Sequence, residues 1–124
     1  MTGKRNRQAG HKFELDVRNM LIEAGYPHVV SSRSASRLRD AQKIDLVNAD
    51  EFTQGRLPFN IQCKNTCGGV NYHKLLDELP KDGQMNVIAH NRTVKTAGGK
   101  FVTKGQYAIL PLEAFIKLIN KTDA

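Results

Sequence analysis

Pro58-Phe59-Asn60-Ile61-Gln62-Cys63-Lys64-Asn65 is the stretch on which the fold turns. Along it Ile61 and Cys63 alternate with Gln62 and Lys64. A strand has a side-chain period of two, so the apolar pair faces a core while the amide and the ammonium share the opposite face. Upstream, Lys43-Ile44-Asp45-Leu46-Val47-Asn48 reads as a second strand with a carboxylate inside an apolar run, and His28-Val29-Val30-Ser31-Ser32 as a third. Ahead of these, Phe13, Val17, Met20, Leu21 and Ala24 follow helical spacing and predict a helix over 9–24, capped by Gly25 and closed off by Pro27. The polar, basic stretch 33–42 reads as a loop.

Downstream, Asn71 is placed to cap a helix whose Leu75, Leu76 and Leu79 face inward before Pro80 stops it. Residues 85–90 and 106–110 read as strands, and 91–103, around Gly98-Gly99, as an exposed hairpin or flap. After Pro111, the spacing of Leu112, Phe115, Ile116 and Ile119 predicts a closing helix. The expected order is α-β-β-β-α-β-(β)-α. This is an α/β fold with one mixed sheet of about five strands flanked by helices. Residues 1–8 are expected to form a basic flexible tail, and 9–124 a single domain.

Composition narrows the function classes. The 124 residues are 40% apolar and 25% charged, which argues against wholesale disorder, and no apolar run approaches the length of a membrane span. The basic N-terminus lacks the apolar stretch of a secretory signal, so an intracellular, cytoplasmic protein is expected. Two cysteines are too few for a disulfide scaffold, and Cys63-x3-Cys67 with His73 has no second ligand pair for structural zinc. Gly68-Gly69 lacks the spacing of a phosphate-binding loop. Nineteen Lys and Arg against twelve Asp and Glu give +7, and +5 of it falls in residues 1–43. Such an excess suits a polyanion, most often a nucleic acid.

Four side chains sit where solvation alone does not put them. Asp45 interrupts an apolar strand, and burying a carboxylate costs several kcal/mol unless a partner or metal compensates. An Asp at the strand end facing water would avoid that cost. Gln62 and Lys64 form either a surface ion-pair neighbourhood or the polar half of a phosphodiesterase site. Glu14 borders the apolar stripe of the first helix, either as a surface pair with Arg18 or as a carboxylate aimed at Asp45.

In order and spacing, Glu14, Asp45 and Gln62-Cys63-Lys64 resemble the PD-(D/E)XK nuclease superfamily, the restriction-endonuclease-like fold. More narrowly, Gly10-His11-Lys12-Phe13-Glu14 with Val17, Leu21 and Gly25 is similar to the opening of archaeal and phage Holliday junction resolvases. So are Ser31-Ser32-Arg33-Ser34-Ala35-Ser36 and Lys43-Ile44-Asp45-Leu46-Val47. The likeness spans residues 4–79. It departs from the pattern twice. Ile44 stands where the family has proline, and Gln62 replaces the acid before the lysine, as in Mrr-type nucleases.

The resemblance implies Mg²⁺, or Mn²⁺ in its place, held by Asp45, Gln62 and Glu14. Lys64 then activates the attacking water, and cleavage leaves 5′-phosphate ends. It further implies DNA as partner, with Lys4, Arg5, Arg7, Lys12, Ser32, Arg33, Ser34, Arg37 and Arg39 contacting phosphates. A homodimer making paired nicks in a four-way junction is expected, with the Leu75, Leu76 and Leu79 helix as a candidate interface, and neither a membrane nor a small-molecule cofactor. A duplex-cutting restriction or repair nuclease, or a DNA-binding member of the fold without catalysis, is the alternative.

Overall fold

The computed structural model describes residues 2–122, with side chains described over 7–121. Helix α1 (Thr2–Glu23) buries Phe13 and Val17 and ends as the sequence demands. Gly25 takes φ +112°. Its N–H donates to the Ile22 carbonyl (3.2 Å), and that of Tyr26 to Leu21 (3.0 Å), the double bond of a Schellman cap. The expected tail is a correction: the backbone is already helical from Thr2, without a break at the start of the apolar stripe.

The chain then forms β1 (Val29–Ser31), α2 (Ser32–Ala35), α3 (Arg37–Ala41), β2 (Leu46–Asn48), α4 (Glu51–Gln54), β3 (Phe59–Cys67), α5 (Tyr72–Glu78), β4 (Met85–Lys95), β5 (Phe101–Ile109) and α6 (Leu112–Thr122). The expected loop at 33–42 is therefore two single-turn helices. Each starts on a serine side chain that accepts a backbone N–H, Ser31 from Arg33 and Ser36 from Arg39. Likewise Asp50 accepts from the N–H of Phe52 to start α4. The expected flap is a regular hairpin. β4 and β5 pair as far as Lys95 opposite Phe101, and the Thr96 N–H closes the turn on the Lys100 carbonyl at 2.7 Å.

The strands fall into two sheets rather than one of five: antiparallel β1-β2, and mixed β3-β4-β5 with β3 parallel to β4. A parallel pair needs a crossover, which the segment carrying α5 provides. The two sheets meet at one residue, Asp45, whose N–H donates to the Ile61 carbonyl at 2.8 Å.

Apolar packing occupies both faces of β3-β4-β5. On one, α1 sets Phe13 and Val17 against Leu46, Ile61, Val87 and Ala89. On the other, Leu75 and Leu79 pack with Ile44, Val47 and Ile88. Val87, Ile88 and Ala89 are all buried because β4 is central and covered on both sides. The second cluster corrects the candidate interface. Leu79, 1% exposed, and Leu75 belong to this chain's own core. Leu79→Ala is expected to cost about 2–4 kcal/mol, read as a lower urea midpoint at unchanged slope. Among the described residues no helix is long and apolar enough to cross a membrane.

Candidate active site

Asp45 is held where the two sheets meet, and the main chain fixes its aim. Its N–H donates to the Ile61 carbonyl (2.8 Å), its carbonyl accepts from the Ser32 N–H (2.8 Å), and its Oδ2 accepts from the Cys63 N–H (2.7 Å). Two bonds to β3 thus bracket Gln62. The turn before it is unusual. Lys43 is held at φ +68°, a left-handed conformation that costs a non-glycine residue about 1 kcal/mol. That turn sends Ile44 into the core, 2% exposed, with its N–H on the Arg39 carbonyl at 3.0 Å. Proline at residue 44 would forfeit this bond, so isoleucine suits the position on physical grounds.

Gln62 is buried at 4% exposure, and its Oε1 has no hydrogen-bond partner. Ser32 Oγ, fully buried, is the other such side-chain atom among the described residues. Both orphans adjoin the bonds of Asp45. A buried acceptor without a donor costs on the order of 1–3 kcal/mol, which makes Gln62 Oε1 available to an incoming ligand. Asp45 Oδ2 is spoken for, and no described residue donates to Oδ1. The Lys64 ammonium makes no hydrogen bond or ion pair among the described residues, yet its charge reaches Asp45.

The electrostatics register this convergence. Burial raises the Asp45 pKa from 3.8 to about 6. The Cys63 N–H opposes the rise, the Glu14 charge adds to it, and Lys64 and Arg33 oppose it. The Cys63 thiol is pushed well above its ordinary range by burial, then by Asp45 and Glu14, so it stays protonated at neutral pH.

Glu14 lies within electrostatic reach of Asp45 but is already engaged. Arg33 Nη2 bonds both of its oxygens (3.3 and 3.2 Å), and Ser31 Oγ donates to Oε1 at 3.2 Å. The same Arg33 nitrogen is 3.1 Å from His11 Nδ1. Glu14 therefore acts through its charge and as the anchor of Arg33. Asp45 and Gln62 are left with an open oxygen each, a fit for a hard cation that completes its shell with waters and phosphate oxygens. Among the described residues no three His, Cys, Asp or Glu side chains group as metal ligands.

The expected DNA contacts separate on burial. Arg7, Lys12, Ser34 and Arg37 are exposed, and Arg33 is 56% exposed although paired. Ser32 is corrected: fully buried, it cannot meet a phosphate. Arg39 is corrected too, being 15% exposed and bound to Glu51 (3.1 Å) and Gln42 (3.0 Å). Lys4 and Arg5 lie outside the residues whose side chains are described. The β4–β5 hairpin adds exposed Arg92, Lys95, Lys100 and Lys104, which the sequence reading passed over.

His90 was missed as well. It is the register partner of Lys64 on β4, 1% exposed, with Thr66 Oγ1 at 2.7 Å from Nε2 and Tyr72 Oη at 3.0 Å from Nδ1. Thr66 Oγ1 also lies 3.2 Å from the Gly68 carbonyl. Either neutral tautomer lets one ring nitrogen donate and the other accept between these two hydroxyls. Burial first, then Arg92, lowers the His90 pKa and keeps the ring neutral. The ring ties the first turn of α5 to the sheet beside Lys64. A single histidine ending the apolar run 85–90 was the only signal. Comparison with protein-family models, curated proteins and solved structures finds no match for this chain.

Proposed function

We propose that this protein is a metal-dependent DNA endonuclease of the PD-(D/E)XK kind, acting in the cytoplasm as a homodimer that resolves four-way or branched junctions by paired nicks. One observation carries the reading: Asp45 is bonded to the peptide groups on either side of Gln62, whose buried Oε1 has no partner, and the Lys64 charge reaches Asp45. On this reading the two sheets are halves of one restriction-endonuclease-like sheet joined at Asp45.

Asp45 and Gln62 would hold Mg²⁺ or Mn²⁺, which when bound neutralises charge on the scissile phosphate and makes water a usable nucleophile at neutral pH. Lys64 orients that water and offsets negative charge as it builds on the phosphate. Arg33 exchanges its bond to Glu14 for one to the DNA backbone, which returns the Glu14 carboxylate to the site. Arg7, Lys12 and Arg37 grip phosphates without reading sequence, as structure selection requires. The products carry 5′-phosphate ends.

The test is cleavage of a synthetic four-way junction against linear duplex of equal length, with Mg²⁺ and with chelator. Symmetric nicks confined to the junction support the reading, and equal cutting of the duplex points to a restriction or repair nuclease. A second reading, DNA binding without catalysis, is favoured by the engagement of Glu14, which leaves Asp45 the one proposed carboxylate ligand with an open oxygen. It predicts salt-sensitive binding with no cleavage in any metal. Gln62→Glu discriminates further. Under the nuclease reading it retains activity with an altered Mg²⁺ to Mn²⁺ preference, and complete loss would mean that the ligand set is wrong.

A further inference from the structure

The hairpin joining β4 to β5 outruns the rest of its sheet. β3 pairs with β4 only as far as Cys67 opposite Thr93, whereas β4 and β5 stay paired to Lys95 opposite Phe101. Register fixes which side chains share a face. Asn65 and Cys67 lie on the face of β3 that carries Ile61, the face α1 packs against. Lys95, two residues past Thr93, returns to that face and brings its partner Phe101 with it. Between Ala9 of α1, the end of β3 and the hairpin tip, this face opens as a cleft of about 710 Å³. Small-ligand sites span about 300–1,000 Å³.

The cleft has a wall, a floor and a rim of different chemistry. Phe101 is the wall, and 53% of it is exposed. On the floor, Asn65 Oδ1 accepts from Asn91 Nδ2 at 2.6 Å, and Asn91 Oδ1 in turn accepts from Gln106 Nε2 (3.0 Å) and Thr103 Oγ1 (3.3 Å). These bonds hold the amides in one orientation and leave Asn65 Nδ2 as a donor with no partner among the described residues. Lys100 stands at the rim. From residue 83 to 112 the chain carries Arg92, Lys95, Lys100 and Lys104, all exposed, and no Asp or Glu, so the occupant is an anion.

We propose that this cleft binds an unpaired nucleotide of DNA, stacked on Phe101, with its base edge on Asn65 Nδ2 and its phosphate on Lys100. Every base has a π-face for the ring and an acceptor atom for the amide, so the cleft selects for the absence of pairing and not for sequence. A base inside a duplex is stacked on both sides and cannot enter. The subsite deepens the branched-DNA reading, on which its role rests. Asn65 follows Lys64 directly, and Cys67 is about 10 Å past Lys64 at strand rise, so the bound nucleotide lies close to the proposed scissile phosphate. It supplies a preference for branch over plain duplex that the phosphate contacts of Arg7, Lys12 and Arg37 cannot, since every duplex offers phosphates.

The test is run in chelator, without cleavage, so that its failure and failure of the nuclease reading are separable. Cys67 is an exposed thiol in the cleft, and burial keeps Cys63 protonated, so a maleimide reports on Cys67. Oligothymidylate at about ten times its dissociation constant is expected to slow that modification about tenfold, the inverse of the free fraction. Blunt duplex at equal saturation should leave the rate unchanged. Phe101→Ala is expected to lower the ratio of oligothymidylate to duplex affinity about tenfold, the loss of one stacked base, and Phe101→Trp to preserve it. Full-rate modification of Cys67 under oligothymidylate, equal protection by duplex, or an unchanged affinity ratio in Phe101→Ala would each overturn the proposal. Protection and a shifted ratio in a protein that cleaves no DNA in any metal would uphold the subsite and remove the nuclease.

Discussion

Asp45→Asn is expected to melt higher than the parent protein at pH 7.5 while losing cleavage. Burial raises the carboxyl from 3.8 to about 6, so between those values the folded state holds a proton that the unfolded chain has released. Stability therefore falls as pH rises through that window. The loss approaches about 3 kcal/mol at neutral pH, at 1.36 kcal/mol per pKa unit. Asparagine keeps an oxygen for the Cys63 N–H and carries no charge to bury. The melting temperature should rise by about 5–10 °C at pH 7.5, with little difference below pH 4. The parent protein should recover stability on adding Mg²⁺ or Mn²⁺ and the variant should not, since only a ligand of the folded state shifts the melt. A variant that melts lower at pH 7.5 would show that Asp45 is a structural anchor.

Lys64→Ala should cut the single-turnover cleavage rate by about 10²–10³-fold, the cost of removing one preorganised charge at a reacting centre. Junction affinity should change little, because one exposed-edge cation is a small part of a net +7. Far-UV circular dichroism should be unchanged, since no described residue depends on the Lys64 ammonium for a bond. Unimpaired cleavage would remove Lys64 from the mechanism, and equal losses of binding and cleavage would reduce it to a phosphate contact.

Much of this architecture was legible where a long apolar period met a clear stop. Phe13, Val17 and Leu21 with Gly25 marked α1, and the alternation through Ile61 and Cys63 marked β3 with its polar face. The single-turn helices α2, α3 and α4 were not legible, because four or five residues hold no period and their starts rest on single Ser or Asp side chains. Nor was the division into two sheets, which depends on how few residues β2 pairs before the chain leaves for α4. Periodicity identified α6 but not which way its stripe would face.

For the candidate site, Asp45, Gln62 and Lys64 were visible as polar residues in strands, a conflict between residue and setting that sequence can display. The partners of Glu14 were not, because Arg33 reaches it from α2, which was read as loop, and Ser31 from the end of β1. Ser32 and Arg39 looked like phosphate contacts because composition reports charge and polarity but not burial. His90 escaped notice because its meaning lies in Thr66 and Tyr72, which only the parallel β3–β4 pairing brings to it.

The bonds that steer Asp45 come from peptide groups at 32, 61 and 63, so the address of the acid is indifferent to what side chains those residues carry. Cys63 can drift to other small apolar residues without moving the carboxylate, whereas a slip of β3 by a single residue would present Ile61 and Cys63 in place of the amide and the amine. What inheritance must guard here is the alignment of two strands more than the identity of their neighbours.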